Sequence, residues 1–216
     1  MTPDENVIRR LLPLLPDVTV LDYPVPFEAE SLPGYAARMA DKIPDANCII
    51  AGVSFGGMVA LEMSRIVQPR VCVLISSLRS PSQLPPWLRM WRLLAGRHCA
   101  VVLNAVGQTA ATVPRRVRTR STTRVVKLAG DAGGWHRWAT SAVLGWRPVS
   151  ESPGVPVIQI HGDADRTFPI RYVTPDYVVP GGGHVLPMTH PGELAAAIRQ
   201  AAADIVPVGP GSDPET

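Results

Sequence analysis

The chain has 216 residues, 46% of them hydrophobic, and a formal net charge of +3 at pH 7, which is enough for one domain with a sizeable core and one insertion. No apolar run approaches the roughly 20 residues that a membrane-spanning helix needs, and the N-terminal stretch, with Asp4, Glu5 and Arg9, is unlike a signal peptide. We therefore expect a cytoplasmic protein without a membrane span.

The first predicted elements precede residue 44. Residues 7–15 are amphipathic, and the β-branched residues at 18–22 predict a short strand. Residues 31–43 predict a helix with Ser31 as its N-cap and Pro33 in its first turn, where proline is tolerated.

A strand, a glycine-flanked serine and a helix follow directly. The apolar run at 48–51 has the length and branching of a buried parallel strand, and residues 58–67 carry helix formers at helical spacing. Ser54 lies between them, with Gly52 and Gly56 two positions away on either side. A sharp turn that exposes a serine hydroxyl at the end of a strand leaves no room for side chains at those two positions. The pattern therefore predicts a nucleophile elbow.

The glycine–serine string alone is weak evidence, because glycines also flank serines by chance. The strand before it and the helix after it are the stronger signal, since a structural turn has no need for paired glycines. The helix would also direct its free amide groups and its positive dipole end at Ser54. A developing oxyanion would then meet the backbone amide of Phe55.

Three further apolar runs and a last helix complete the pattern. The runs at 71–75, 155–160 and 177–179 predict strands, and residues 191–205 predict a helix. Alternating apolar strands and helices indicate an α/β fold, with a mostly parallel sheet and helices on both faces. We expect the Pro- and Gly-rich tail at 207–216 to be disordered.

Residues 81–150 interrupt the alternation. They hold all five tryptophans, and their ten arginines and one lysine stand against Asp131 alone, so the segment is +10 and the remainder −7. We interpret the segment as an inserted helical cap on a core formed by 1–80 and 151–206. Its tryptophans would line an acyl or aromatic pocket, or form a satellite core beneath the cap.

Part of this segment is strongly basic. A solvated face is the simplest interpretation, and attraction of anionic substrates is a second one. Nucleic-acid binding has the least support, because no aromatic residues or recognition motif accompany the charges. We therefore expect no nucleic-acid partner. The residues of the run are Arg115, Arg116, Arg118, Arg120, Arg124 and Lys127.

A serine nucleophile needs a general base, and the chain offers five histidines. His184 is the best placed, because it follows the flexible loop at 180–183 and the last predicted strand. The other histidines close a strand, begin a helix or lie in the cap, and they are weaker candidates: His161, His190, His98 and His136.

A third group must hold the imidazole tautomer and stabilise its cation. Asp163 and Asp165 follow the strand predicted at 155–160, and sites in open parallel sheets gather at such strand ends. Asp165 is our candidate, and we expect Asp163 to brace the loop. The alternative is that both residues only form a polar turn.

The cysteines do not indicate a disulfide framework or a metal site. Cys48, Cys72 and Cys99 are odd in number, and two of them lie in apolar strands. They are typical of small buried hydrophobic residues.

Together the stretches at 52–58, 161–165 and 182–184 resemble the serine hydrolases of the α/β-hydrolase family, including its small esterases and lipase-like enzymes. The resemblance runs from about residue 18 to 205 and excludes the variable cap.

The resemblance implies a triad with Ser54 as nucleophile, His184 as base and Asp165 as acid. It also implies acyl transfer to water through an acyl-enzyme, with a small ester or thioester as substrate and without a metal or an organic cofactor.

The chain departs from the family at its start. Members normally begin with a strand that ends in a His-Gly or Pro-Gly turn, whose loop donates the second oxyanion amide, and no such turn precedes Val18. In the family this strand lies between those that correspond to 18–22 and 48–53. We expect that the natural reading frame starts upstream, or that the chain is a shortened and inactive member. If the first residues match the loop, Met1 or Thr2 would lie near the second oxyanion donor.

Two other functions stay open at this point. A hydrolase-fold protein without the oxyanion loop would bind a ligand under its cap without turning it over. An acyltransferase would use the same triad with an acceptor other than water.

Overall fold

The computed structural model describes residues 5–90, 132–148, 150 and 152–204. The predicted tail, the basic run, His98, Cys99, Met1 and Thr2 lie outside these residues. The division into core and cap therefore stays a prediction.

The described strands form one parallel sheet. They are β1 (Ile49–Val53), β2 (Val71–Ile75), β3 (Val157–Gly162) and β4 (Tyr177–Val179), and they lie side by side in chain order. The parallel sheet expected from the apolar runs is confirmed. All four strands end at the same edge, so the loops that follow them meet there.

Helices connect the strands and follow them. The α-helices are α1 (Glu5–Ile8), α2 (Leu32–Ala40), α3 (Phe55–Val67), α4 (Ala132–Leu144), α5 (Leu186–Thr189) and α6 (Pro191–Ala203), and the 3₁₀ turns are Leu12–Leu14, Pro81–Gln83 and Ile170–Tyr172. No helix in the described residues is long and apolar enough to cross a bilayer.

The sheet has a hydrophobic core on each face. α2 and α3 pack on the face that carries Ile50, Cys72 and Leu74, whereas α6 packs on the face that carries Val73 and Ile160. Every residue of β2 is buried, which explains why its sequence is a continuous apolar run without alternation. This double burial confirms helices on both faces of the sheet.

The helix predicted at 31–43 begins as expected and ends early. The backbone amide of Gly34 donates to the hydroxyl of Ser31 at 3.2 Å, so the predicted N-cap is confirmed. The helix ends at Ala40, because Pro44 removes an amide donor and disfavours helical backbone just before it.

The strand predicted at 18–22 is wrong. These residues have no regular structure, and the side chains of Val18 and Val20 are 49% and 45% exposed. β-Branched residues form a strand only where a neighbour completes the ladder of hydrogen bonds. β1 is the edge strand of the described sheet and pairs there with β2, so the ladder does not extend to residues 18–22.

Candidate active site

Ser54 occupies a strained turn between β1 and α3. Its backbone has φ 54° and ψ −118°, a conformation that non-glycine residues rarely adopt. Such strain costs of the order of 1–3 kcal/mol and persists only where the surroundings impose it. Here β1 ends at Val53 and α3 begins at Phe55, so one residue makes the whole connection.

Close approach of neighbouring atoms explains the two flanking glycines. A Cβ atom at Gly52 would overlap the carbonyl group of Gly56, and one at Gly56 would overlap the hydroxyl of Tyr23. A side chain at position 52 would force the turn to shift, and one at position 56 would displace the ring of Tyr23. The spacing that predicted the elbow therefore has a steric cause in the structure.

β2 also holds the turn. The Ser54 amide donates to the Ile75 carbonyl at 2.9 Å, and the hydroxyl of Ser77 donates to the Ser54 carbonyl at 2.6 Å. Ser77 is fully buried. Its contribution was not predicted from the sequence, and the available signal was the position of this polar residue two places after an apolar strand.

The structure brings together Ser54, His184 and Asp165. The Ser54 hydroxyl lies 2.9 Å from Nε2 of His184, and Nδ1 of His184 lies 2.8 Å from Oδ2 of Asp165. Each residue follows a different strand, namely β1, β4 and β3. Because a carboxylate only accepts, Nδ1 of His184 carries the proton, and its Nε2 has a free lone pair directed at the serine.

Asp165 is buried, yet its surroundings favour its charged form. The amides of Thr167 and Phe168 donate to Oδ1 at 2.8 and 2.9 Å. Burial alone would raise the pKa of Asp165, but hydrogen bonds with His161 and His184 outweigh it and hold that pKa well below its usual range. A carboxylate in this position can orient the imidazole and stabilise its cation.

Other predicted residues lie apart from the serine. Asp163 accepts from the Gly181 amide at 2.7 Å and so braces the loop, as expected. His190 occupies the N-cap position of α6 without a side-chain capping bond, and His136 packs against Trp135 on α4.

The first amide of α3 belongs to Phe55. It lies in the first turn of a 13-residue helix, where backbone amides have no partner within the helix. The Phe55 amide is the one candidate oxyanion donor that lies within the described residues. The other candidates, Met1 and Thr2, lie outside them.

Aromatic rings pack beside the elbow. The ring of Phe55 lies 5.4 Å from that of Trp135 and 5.7 Å from that of Trp138, and Trp138 donates to the Glu30 carbonyl at 2.8 Å. Two tryptophans of the predicted cap therefore contact both the elbow and the segment before α2. Burial raises the pKa of the neighbouring Tyr23 to about 12.

An open cavity of about 440 Å³ adjoins the carboxylate of Asp165. Its lining includes Asp163, Asp165, Arg166, Ile170 and Arg171. In the parts of the chain that the structure describes, no group of three or more His, Cys, Asp and Glu side chains is arranged to hold a metal ion.

Several solved structures are similar to this chain. An esterase from Thermogutta terrifontis superimposes with a TM-score of 0.58 at 15% identity, over 94% of this chain and 86% of that one. A lipase-esterase related protein from Clostridium acetobutylicum superimposes with a TM-score of 0.57 at 14% identity, over 90% and 88% of the two chains. The N-acyl homoserine lactonase AidH gives 0.54 at 18% identity, over 84% and 73%. At these identities the likeness concerns the fold alone.

The sequence comparisons assign the family. No curated protein matches the chain. Residues 9–197 match the family described as "Alpha/beta hydrolase family". Because this match spans most of the 216 residues, the chain belongs to the alpha/beta hydrolase family.

Proposed function

We propose that this member of the family is a serine hydrolase that cleaves a carboxylic ester or thioester through an acyl-enzyme on Ser54. The chain of hydrogen bonds from the Ser54 hydroxyl through His184 to Asp165 carries the proposal. The substrate is a small molecule, and the chemistry uses neither a metal nor an organic cofactor.

In the first half-reaction, Nε2 of His184 accepts the hydroxyl proton while Oγ of Ser54 attacks the substrate carbonyl carbon. The carbonyl oxygen becomes an oxyanion, and the Phe55 amide at the start of α3 stabilises it together with the positive end of the helix. His184 then donates its proton to the leaving alcohol or thiol. The acyl group stays on Oγ as an ester.

In the second half-reaction, water takes the place of the alcohol. His184 accepts a proton from the water, whose oxygen attacks the acyl carbon. The second tetrahedral intermediate collapses with return of that proton to Oγ of Ser54. The products are a carboxylic acid and the free enzyme.

Asp165 acts throughout on His184. Its carboxylate accepts from Nδ1, which leaves Nε2 directed at the serine, and its charge stabilises the imidazolium in both half-reactions. The similar structures include an esterase and a lactonase, and this supports a substrate with an ester bond.

Intact-mass labelling with a fluorophosphonate tests the proposal. We expect one adduct on the wild-type chain and on Ser82→Ala, a control that changes an exposed serine. We expect no adduct on Ser54→Ala and much slower labelling of His184→Ala. Turnover of p-nitrophenyl acetate and of an acyl thioester by the wild type then compares the two leaving groups. A folded wild-type chain without adduct and turnover would contradict the proposal and favour a ligand-binding protein.

A further inference from the structure

A second imidazole lies beside the carboxylate of Asp165. His161 is in β3 and is completely buried. Its Nε2 atom lies 2.7 Å from the carbonyl oxygen of Phe168 and 3.3 Å from Oδ2 of Asp165. Oδ2 is also the oxygen that accepts from Nδ1 of His184. Two imidazole rings therefore converge on one carboxylate oxygen.

The surroundings determine which nitrogen of His161 carries hydrogen. A backbone carbonyl only accepts, so at 2.7 Å the Nε2 atom must donate to Phe168. Nδ1 is buried and has no partner among the described residues. A hydrogen on Nδ1 would be a buried donor without a partner, which costs free energy. These contacts therefore place the hydrogen of His161 on Nε2.

His161 also closes a ring of contacts around the acid. The carbonyl of Phe168 accepts from His161, while the amide of Phe168 donates to Asp165 at 2.9 Å. The ring of Phe168 packs edge-on against the imidazole of His184, with centroids 5.3 Å apart. His161 thus holds Phe168, whose amide supports the carboxylate of Asp165 and whose ring packs against His184.

We propose that His161 is a positioning residue of the active site, which sets the orientation of His184 through Oδ2 of Asp165 and through Phe168. This inference rests on the proposed function. Its Nε2 hydrogen is shared between the Phe168 carbonyl and the carboxylate. The substrate does not touch His161, because the side chain is buried below the acid.

The role predicts a specific pattern in three variants. His161→Leu removes the donor, and misplacement of the base lowers kcat by roughly 10- to 100-fold while KM stays within about twofold. His161→Gln carries an amide nitrogen as far from the backbone as Nε2, so it restores kcat to within about fivefold. The amide of His161→Asn reaches only as far as Nδ1 does, and it behaves like His161→Leu. The Gln and Asn variants differ by one methylene and serve as a matched pair.

Two measurements test the proposal, and both begin with a thermal unfolding check of each variant. The first is kcat and KM for ester hydrolysis, with the rate of fluorophosphonate labelling. The second is the ¹⁵N spectrum of the wild-type imidazoles, which reports the protonated nitrogen of His161 without any need for turnover. Equal kcat in the Gln and Asn variants, or a hydrogen on Nδ1 of His161, would overturn the proposal.

These measurements also separate this inference from the proposed function. A wild-type chain that neither labels nor turns over would remove the proposed function. The ¹⁵N spectra would still test the positioning. The Nδ1 signal of His184 should broaden or shift in His161→Leu, which lacks a donor, but not in His161→Gln, which keeps one. If His161→Leu does not fold, the comparison of Gln with Asn retains the test.

Discussion

Nε2 of His184 lies 2.9 Å from Oγ of Ser54, although 130 positions separate the two residues in the chain. The contact joins the loops after β1 and β4, the two outer strands of the described sheet. Its geometry therefore depends on every strand pairing between them.

The first prediction concerns the two carboxylates that follow β3. In the proposed mechanism Asp165→Asn removes the charge that stabilises the imidazolium, so we expect kcat for ester hydrolysis to fall by about 10³-fold. Asp163→Asn keeps an oxygen acceptor for the Gly181 amide, and we expect kcat within about threefold of the wild type. Steady-state kinetics on both variants checks this. Equal losses would show that the loop, and not the charge, matters.

The second prediction concerns stability in acid. The pKa of Asp165 is lower in the folded chain than in the unfolded chain, so the charged carboxylate stabilises the fold above the unfolded value of about 3.9. That stabilisation is lost as the pH falls through the folded pKa. His161 and His184 are the titratable groups that contact the carboxylate.

The measurement compares the free energy of unfolding of the wild type and of Asp165→Asn by urea denaturation between pH 5 and pH 2. We expect the difference to shrink below about pH 4, because the wild type alone has this carboxylate to protonate. A difference that stays constant down to pH 2 would contradict the assigned pKa shift.

The third prediction concerns the glycines of the site. In Gly52→Ala the new Cβ would overlap backbone atoms of Gly56, which cannot move without loss of the turn. We expect a loss of about 3 kcal/mol in the free energy of unfolding. In Gly183→Ala the new Cβ meets nothing within 4 Å, so we expect a change within about 0.5 kcal/mol. Urea denaturation measures both, and similar values would contradict the steric explanation of the elbow.

The fourth prediction concerns Trp146, which lies near the end of the predicted cap segment and packs against the core. Trp146 is buried, and its Nε1 donates at 2.8 Å to the buried carboxylate of Glu62 on α3. Trp146→Phe leaves a carboxylate oxygen without this donor and also opens a cavity. We expect a loss of about 2–4 kcal/mol in the free energy of unfolding.

A tryptophan in a different environment provides the control. Trp87 is 49% exposed, so Trp87→Phe should change the free energy of unfolding by less than about 0.5 kcal/mol. Equal effects of the two substitutions would show that the contact with Glu62 contributes little.

The local elements were predictable from the sequence because their causes are local. Apolar runs of the right length indicated the strands, and the spacing of Gly52 and Gly56 around Ser54 indicated the turn. The need for glycine at position 52 arises from contacts within five residues of chain, since the carbonyl of Gly56 itself excludes a side chain there. The strand predicted at 18–22 was wrong because its cause is not local: a strand forms only where another segment pairs with it.

Tertiary structure decided which distant side chains meet. Sequence reasoning selected His184 and Asp165 by their positions after strands, but only the order of the strands brings them to the serine. It did not anticipate the support from Ser77 or the contact of His161 with Asp165. Ser77 lies outside the stretches that resemble the family, and His161 lies inside one of them without any local sign of its contact with Asp165. Their contacts depend on parallel strands that end together, and such alignment is a property of the folded sheet and not of any short stretch of sequence.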